Sequence, residues 1–283
     1  MSFSMAVTSL EAYEEHQKLI HSIYSSRLKI QILLTLLTEH PSLSRLREIT
    51  GSTSQALIPK IRSLEKQMLL QSKNYEYVLT PLGKIVADSV AGFVNLMAGI
   101  DRHHVFWTTH DLSGIPMEFL ARVGELQDSE VELDTQVEVL HVYSHFLKIV
   151  REGTYIHGIS SIMSPGVAEN VALRIFEGVP VELVVNDDVA AMLCREPYFT
   201  QVAQIANFEN FKVYVIKGEL KIGVTVTDKQ LSLGLYRNDN PIYDSSTDLS
   251  SYDPQAIAWG EGVFRYYRDR STVLDLKTTF SRK

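Results

Sequence analysis

The residues whose types and spacing could do chemistry fall into a few groups. Ser52, Thr53, Ser54 and Gln55 stand together, followed by Lys60, Arg62, Ser63 and Lys66. A glutamine can hold adenine through two hydrogen bonds, hydroxyls can bond bases or phosphates, and lysine and arginine neutralise phosphates. The same Ser/Thr cluster could equally be no more than a helix cap. Lys73, Asn74 and Tyr75 form a second short polar group. It suits contact with a nucleic-acid backbone or minor groove, or a plain exposed turn. His141 and His145 stand one helical turn apart, with His103, His104 and His110 upstream. Histidines at i and i+4 can share a metal. No carboxylate follows them in a known zinc pattern, so they are expected at a surface or interface, and no metal site is expected. Glu130, Glu132, Asp134 and Glu138 could pair for acid–base work, but a solvated acidic loop is the expectation. Ser/His/Asp order, a glycine-rich phosphate loop and a cysteine nucleophile motif are all lacking. No catalytic residue and no cofactor is therefore expected. Tyr236, Arg237, Tyr243, Trp259, Tyr266 and Tyr267 gather aromatic and polar groups near the end of the chain. Such residues line ligand pockets or fill cores; Trp259 is expected in a core, and His110, Arg174 and Tyr236 are candidate ligand contacts.

Positioning these groups requires particular elements. Residues 9–24 read as a helix. Leu28, Ile32, Leu33, Leu36 and Leu37 then repeat at helical spacing, with Ser25 or Ser26 as cap and Pro41 as stop. Ser42 caps a short helix that ends at Gly51. Ser52 is expected to cap a third helix with Leu57, Ile61, Leu64 and Met68 on its apolar face. Pro59 inside that helix conflicts with it, because proline removes a hydrogen bond and clashes with the preceding turn. Either a kink at Pro59 or a separate first turn over 53–57 would accommodate it. A hairpin turning at Lys73-Asn74 follows, then a long helix started by Thr80-Pro81. Helix, short helix, tight turn, longer helix and hairpin is the order of a winged helix-turn-helix. A helix is expected from Pro116. Beyond it, apolar runs at 154–162, 179–185, 211–216, 220–227 and 230–236 alternate with helical runs at 165–177, 187–194, 198–206 and 254–270. The expected fold is thus an α+β N-terminal winged helix-turn-helix, residues 1–100, with flanking dimerisation helices. An α/β layered regulatory or sensor domain with a central mixed sheet, residues 105–283, follows.

Charge is divided the same way. The chain carries a net charge of -7, yet residues 25–84 hold nine Lys/Arg against four Glu, a local excess of five positive charges. One basic module on an acidic chain fits a nucleic-acid arm attached to a domain with another partner. Cys194, the one cysteine, excludes an internal disulfide and a multi-cysteine zinc or redox site. No unbroken apolar run reaches the ~18 residues of a membrane span, and the start lacks signal-peptide character. A cytoplasmic protein is expected.

The phrases SSRLKIQILLTL, LSRLREITGSTSQALIPKIRSLEKQMLL and YVLTPLGKIVA resemble the ArsR/MarR-like winged-helix regulators of archaea, the LT-x-x-GK phrase especially. FWTTHDLSGIPMEFLARVGEL, VTDKQLSLGLYRNDNPIYDSS and DPQAIAWGEGVFRYYRDRS resemble the regulatory part of methanogen winged-helix regulators of methanogenesis and filament control. The resemblance implies a transcriptional regulator that binds double-stranded DNA as a homodimer and responds to a small-molecule effector. It also implies a regulatory domain similar to the phospholipase-D-like fold. Phosphodiesterase chemistry there would need His-x-Lys, and the chain's single instance, His16-Gln17-Lys18, lies in the first helix. The resemblance therefore implies a binding domain; the alternative is a phosphodiesterase-like enzyme with an N-terminal docking module.

Overall fold

The computed structural model describes residues 2–280, with side chains from residue 8 onward; the expected outer domain limits at 1 and 283 lie outside the described residues. The chain divides into two compact units, Met1–Val94 and Asn95–Lys283. The division falls inside a helix rather than in the linker expected at 100–105.

The first unit is built from α1 (Ser2–Tyr24), α2 (Arg27–Thr38), α3 (Leu43–Thr50), α4 (Ser54–Lys66), the strands β1 (Leu70–Lys73) and β2 (Glu76–Leu79), and the first part of α5 (Pro81–Arg102). Local chemistry sets the boundaries. Ser26, Ser42 and Thr53 each accept a hydrogen bond from a backbone N–H in the first turn of the helix they precede. Thr53, not Ser52, caps α4. Gly51 closes α3 in the left-handed conformation at φ 63°. Helix α4 runs unbroken through Pro59. Its apolar stripe, Leu57, Ile61 and Leu64, packs with Ile32, Leu33, Leu36 and Leu46 in one core, each such side chain contributing about 1.5–3 kcal/mol by burial. The antiparallel hairpin pairs Lys73 with Glu76. The amide of Tyr77 donates to the Pro41 carbonyl at 3.0 Å, tying the hairpin to the α2–α3 turn. The LT-x-x-GK phrase has a structural reason. The Thr80 hydroxyl accepts from the Gly83 amide and donates to the Met68 carbonyl, and a Cβ on Gly83 would lie 1.6 Å from the Leu69 oxygen.

Helix α5 is more apolar than its charged residues suggest. It is long and apolar enough, by length and composition alone, to cross a membrane. Lys84 and Asp88 interrupt it, so no unbroken apolar run announces it. Ala87 and Val90 on one side belong to the first unit's core.

The second unit contains α6 (His104–Thr109), β3 (His110–Asp111), α7 (Met117–Leu120), β4 (Glu130–Leu133), α8 (His141–Glu152), β5 (Ile156–Ser160) and α9 (Pro165–Phe176). It continues with β6 (Val181–Asn186), α10 (Asp187–Leu193), α11 (Tyr198–Ile205), β7 (Phe211–Ile216), β8 (Ile222–Val226), β9 (Leu231–Arg237), β10 (Thr247–Ser251), α12 (Pro254–Arg268), β11 (Thr272–Val273) and α13 (Leu276–Thr279). The central sheet is mixed, in the order β11-β7-β6-β5-β8-β9-β10-β4, with β3 beside β9. Strands β5, β6 and β7 are parallel to one another, and the remaining pairs are antiparallel. One face packs with α12 around Trp259 and Phe264. Side chains of β5, β6 and β7 on the other face pack with α9, α10 and α11.

Three further expectations are corrected. The helix expected from Pro116 lasts one turn, α7; further on, Gly124 closes on the backbone of Leu96, where a Cβ would lie 2.5 Å from its nitrogen. The acidic run was expected as a loop, but Glu130–Leu133 is an edge strand paired with β10. Ser164 precedes α9 without making a capping hydrogen bond.

Candidate nucleic-acid interface, internal cavity and histidine cluster

In the first unit, Thr53 and Gln55 are exposed and Ser52 and Ser54 half-buried at the start of α4. Arg62 and Lys66 are exposed further along, and Lys60 is half-buried. Ser63 lies on the inner side instead, where its hydroxyl accepts from the buried Lys29 ammonium at 2.8 Å. Lys29 also donates to Ser22 at 2.6 Å. Burial, and then the charge of Lys60, hold its pKa below the ordinary lysine value. One of the nine basic residues counted above is thus internal. Lys73, Asn74 and Tyr75 are exposed at the hairpin tip, Tyr75 at 95%. Asn74 and Tyr75 are both left-handed, at φ 52° and 64°, which is a two-residue type I′ turn. Asparagine suits this conformation; tyrosine at such a φ is strained.

The second unit holds a cavity of about 370 Å³ between the sheet and helices α8 and α9. Val142, Phe146 and Val171 line its helical side, and Thr225, Ser232 and Asp248 its sheet side. The walls are mainly apolar, with a few polar groups from the sheet, as small-molecule sites are. Tyr243 reaches into this region because Gly223 and Gly234 face each other across β8 and β9. A Cβ on Gly234 would lie 1.9 Å from the Tyr243 hydroxyl. Burial pushes the Asp248 carboxyl up to about 7 and the repulsion of Glu132 adds to this, against the opposing hydrogen bond of Ser232.

None of the three predicted ligand contacts lines this cavity. His110 is buried, its Nδ1 2.7 Å from the Phe106 carbonyl and its Nε2 3.4 Å from Asp244. Arg174 pairs with Glu177 and donates to the Gly153 carbonyl at 2.7 Å. Tyr236 packs edge-on against Tyr243. Asp248, Ser232 and Tyr243 are among the polar lining groups that sequence reasoning passed over as ligand contacts. Tyr243 was noted among the aromatics, but nothing local marks the other two.

A third cluster joins residues that the sequence left apart. His141 and His145 on α8 both face Glu132 on β4, with Glu132 Oε2 2.7 Å from His141 Nε2 and Oε1 3.1 Å from His145 Nδ1. The missing carboxylate comes from a preceding strand rather than a following helix. Hydrogen bonding to Glu132 and Glu138 raises the His141 pKa. Burial would raise that of Glu132, but His141, His145 and Ser250 together lower it.

Comparison with known proteins matches residues 17–98 to the N-terminal domain, and 140–270 to the middle domain, of the methanogenesis regulatory protein FilR1. This chain belongs to the FilR1 family. A FilR1 from Methanothrix harundinacea (strain 6Ac) is 28% identical over 254 residues, covering 89% of this chain and 57% of the relative. The chain thus spans little more than half the length of that FilR1. The family is one of regulatory proteins rather than enzymes. Among solved structures, TrmBL2, an archaeal chromatin protein, is 11% identical with a TM-score of 0.41, covering 90% of this chain and 96% of its own. A phospholipase D family member, Nuc from Salmonella typhimurium, is 11% identical with a TM-score of 0.40, covering 52% of this chain and 97% of its own. Likeness at that level assigns neither a fold nor an activity.

Proposed function

We propose that this chain is a cytoplasmic, dimeric transcriptional regulator that reads double-stranded DNA with an ArsR-like winged helix-turn-helix and takes a small-molecule effector in the cavity of its second unit. The observation that carries this reading is the set of polar and basic side chains that α4 and the hairpin after it leave exposed or half-buried. The N-terminal turn of α4 offers Thr53, Ser54 and Gln55, the same helix offers Lys60, Arg62 and Lys66, and the neighbouring hairpin offers Lys73, Asn74 and Tyr75. A recognition helix enters the major groove by its N-terminal end while a wing follows the backbone or minor groove. Membership of a family of regulatory proteins supports the reading. A dimer is supported by the number of large apolar side chains left exposed along α1 and α5, Leu10, Leu19, Ile85 and Phe93 among them, which a partner helix could cover. The effector role rests on the cavity, with Asp248, Ser232 and Tyr243 replacing His110, Arg174 and Tyr236 as the polar contacts. A metabolite with an apolar body and one polar end suits it.

Gel-shift titration of the full chain against fragments of its own upstream DNA, at several salt concentrations, tests the reading. Gln55→Ala should lose about 1–3 kcal/mol at one or two base positions. Lys60→Ala should weaken all sequences alike and lower the salt slope by about 1. Absence of binding at low salt would refute the proposal.

A further inference from the structure

We propose that Glu132, His141 and His145 form a divalent transition-metal site of the zinc type at the junction of β4 and α8. The candidate ligand atoms of the three side chains lie within 4.8 Å of one another. Two come from one face of a helix, a turn apart, and the third from the strand beneath it, so the backbone fixes all three directions. The cluster is substantially shielded, with Glu132 at 18% exposure, His145 at 14% and His141 at 34%. A carboxylate and two neutral imidazoles suit zinc, whose N and O ligands sit about 2.0–2.2 Å from the ion. Magnesium and calcium prefer oxygen ligands.

The groups around the three ligands favour a metal over a simple ion-pair cluster. A metal-bound imidazole is normally oriented by a partner on its other nitrogen. With His141 bound through Nε2, its Nδ1 lies 3.4 Å from Glu138. With His145 bound through Nδ1, its Nε2 lies 2.7 Å from the Gln230 side-chain amide. A half-turn of that amide lets its oxygen accept the Nε2 proton. The hydroxyl of Ser250 donates to Glu132 Oε1 at 3.2 Å and steadies the carboxylate. Each ligand thus has its own supporting contact, from three different parts of the chain. Val142 and Phe146, which directly follow the two histidines, line the cavity. An ion here would therefore clamp the helix that covers the cavity to the edge of the sheet. This inference does not depend on the DNA reading.

The test is titration of the full chain with Zn²⁺ in competition with a chromophoric chelator, and with Co²⁺ followed by its visible ligand-field bands. One equivalent per chain is expected, undisturbed by excess Mg²⁺. His141→Ala, His145→Ala and Glu132→Gln should each weaken Zn²⁺ binding by at least about tenfold, since loss even of an outer partner costs 10–100-fold. His104→Ala and Cys194→Ser, which remove other exposed ligand types, should leave affinity unchanged. Circular dichroism checks the fold of each variant. Glu138→Ala, at an exposed position, weakens binding without removing a ligand. Failure of the chain to hold Zn²⁺ against the chelator would overturn the proposal. Equal affinity in the His141→Ala/His145→Ala double variant would do the same.

Discussion

Tyr75 holds a left-handed backbone at the tip of a hairpin with its side chain almost wholly in solvent. An L-residue there costs about 1–2 kcal/mol, a cost that glycine does not carry. Its side chain makes no hydrogen bond or ring contact among the described residues, which fits a side chain kept for an outside contact. Tyr75→Gly should therefore stabilise the unit by about 1 kcal/mol in denaturant unfolding while weakening DNA binding by about 1 kcal/mol, several-fold. Unchanged DNA affinity in the glycine variant would remove Tyr75 from the interface. Asp248 makes the opposite kind of residue-scale statement. The folded chain keeps a proton on it up to about pH 7, whereas an unfolded aspartate releases it near pH 4, at a pKa of about 3.9. Between those values the folded state binds more protons, so raising the pH destabilises it. The penalty is absent below the lower value and complete above the upper one. Asp248→Asn removes it, so the variant should gain roughly 2–4 kcal/mol over the parent at pH 8 and little at pH 4. Parallel urea titrations at the two pH values would measure the difference, and a gain independent of pH would contradict it.

At the scale of the element, α4 carries a proline that a helix of this length does not need. Pro59 sits at the sixth residue of Ser54–Lys66 on the exposed side. It has no N–H to give to the carbonyl of Gln55, which a regular helix would bond. The helix nevertheless runs through, because Leu57, Ile61 and Leu64 anchor it from the other side. Pro59→Ala should restore the missing bond and raise the thermal midpoint, with a gain of about 1–3 kcal/mol. A loss of stability would mean that the helix depends on proline's fixed φ. Thr80, Pro81 and Gly83 show a motif whose parts are all structural. The hydroxyl caps α5, the ring opens it, and the missing side chain admits the Leu69 carbonyl.

For the whole molecule, the division of charge determines how DNA binding should respond to salt. Lys60, Arg62, Lys66 and Lys73 are the basic side chains on the proposed surface; Lys29 is buried and does not take part. Each phosphate neutralised contributes about -0.9 to the slope of log K against log salt. Four contacts per chain give a slope of about -3.6 for one chain and about -7 for two. Fluorescence anisotropy over a salt series on one fragment distinguishes them, with a slope near the larger value expected for the dimer. A slope near zero would show that these four residues do not reach phosphates.

The sequence by itself determined what depends on near neighbours. Apolar spacing, the Ser and Thr caps, Gly51, the hairpin and the alternation of strands with helices are all written within a few residues of one another. Helices α2, α3 and α4 and most strands of the second unit were legible for that reason. Strands β4 and β10 were not: on one face they carry Glu132, Asp248 and Ser250, all polar, so the apolar alternation that betrays a strand is missing. The depth of Lys29 and Ser63 was likewise hidden, because a lysine on a helix reads as surface until another helix covers it. Only the tertiary structure could bring Glu132 to His141 and His145, or put Asp248 opposite Glu132. Those meetings depend on which strands pair at the far edge of the sheet. Pairing between segments so distant in the chain is decided by packing of the whole second unit, and no local spacing encodes it.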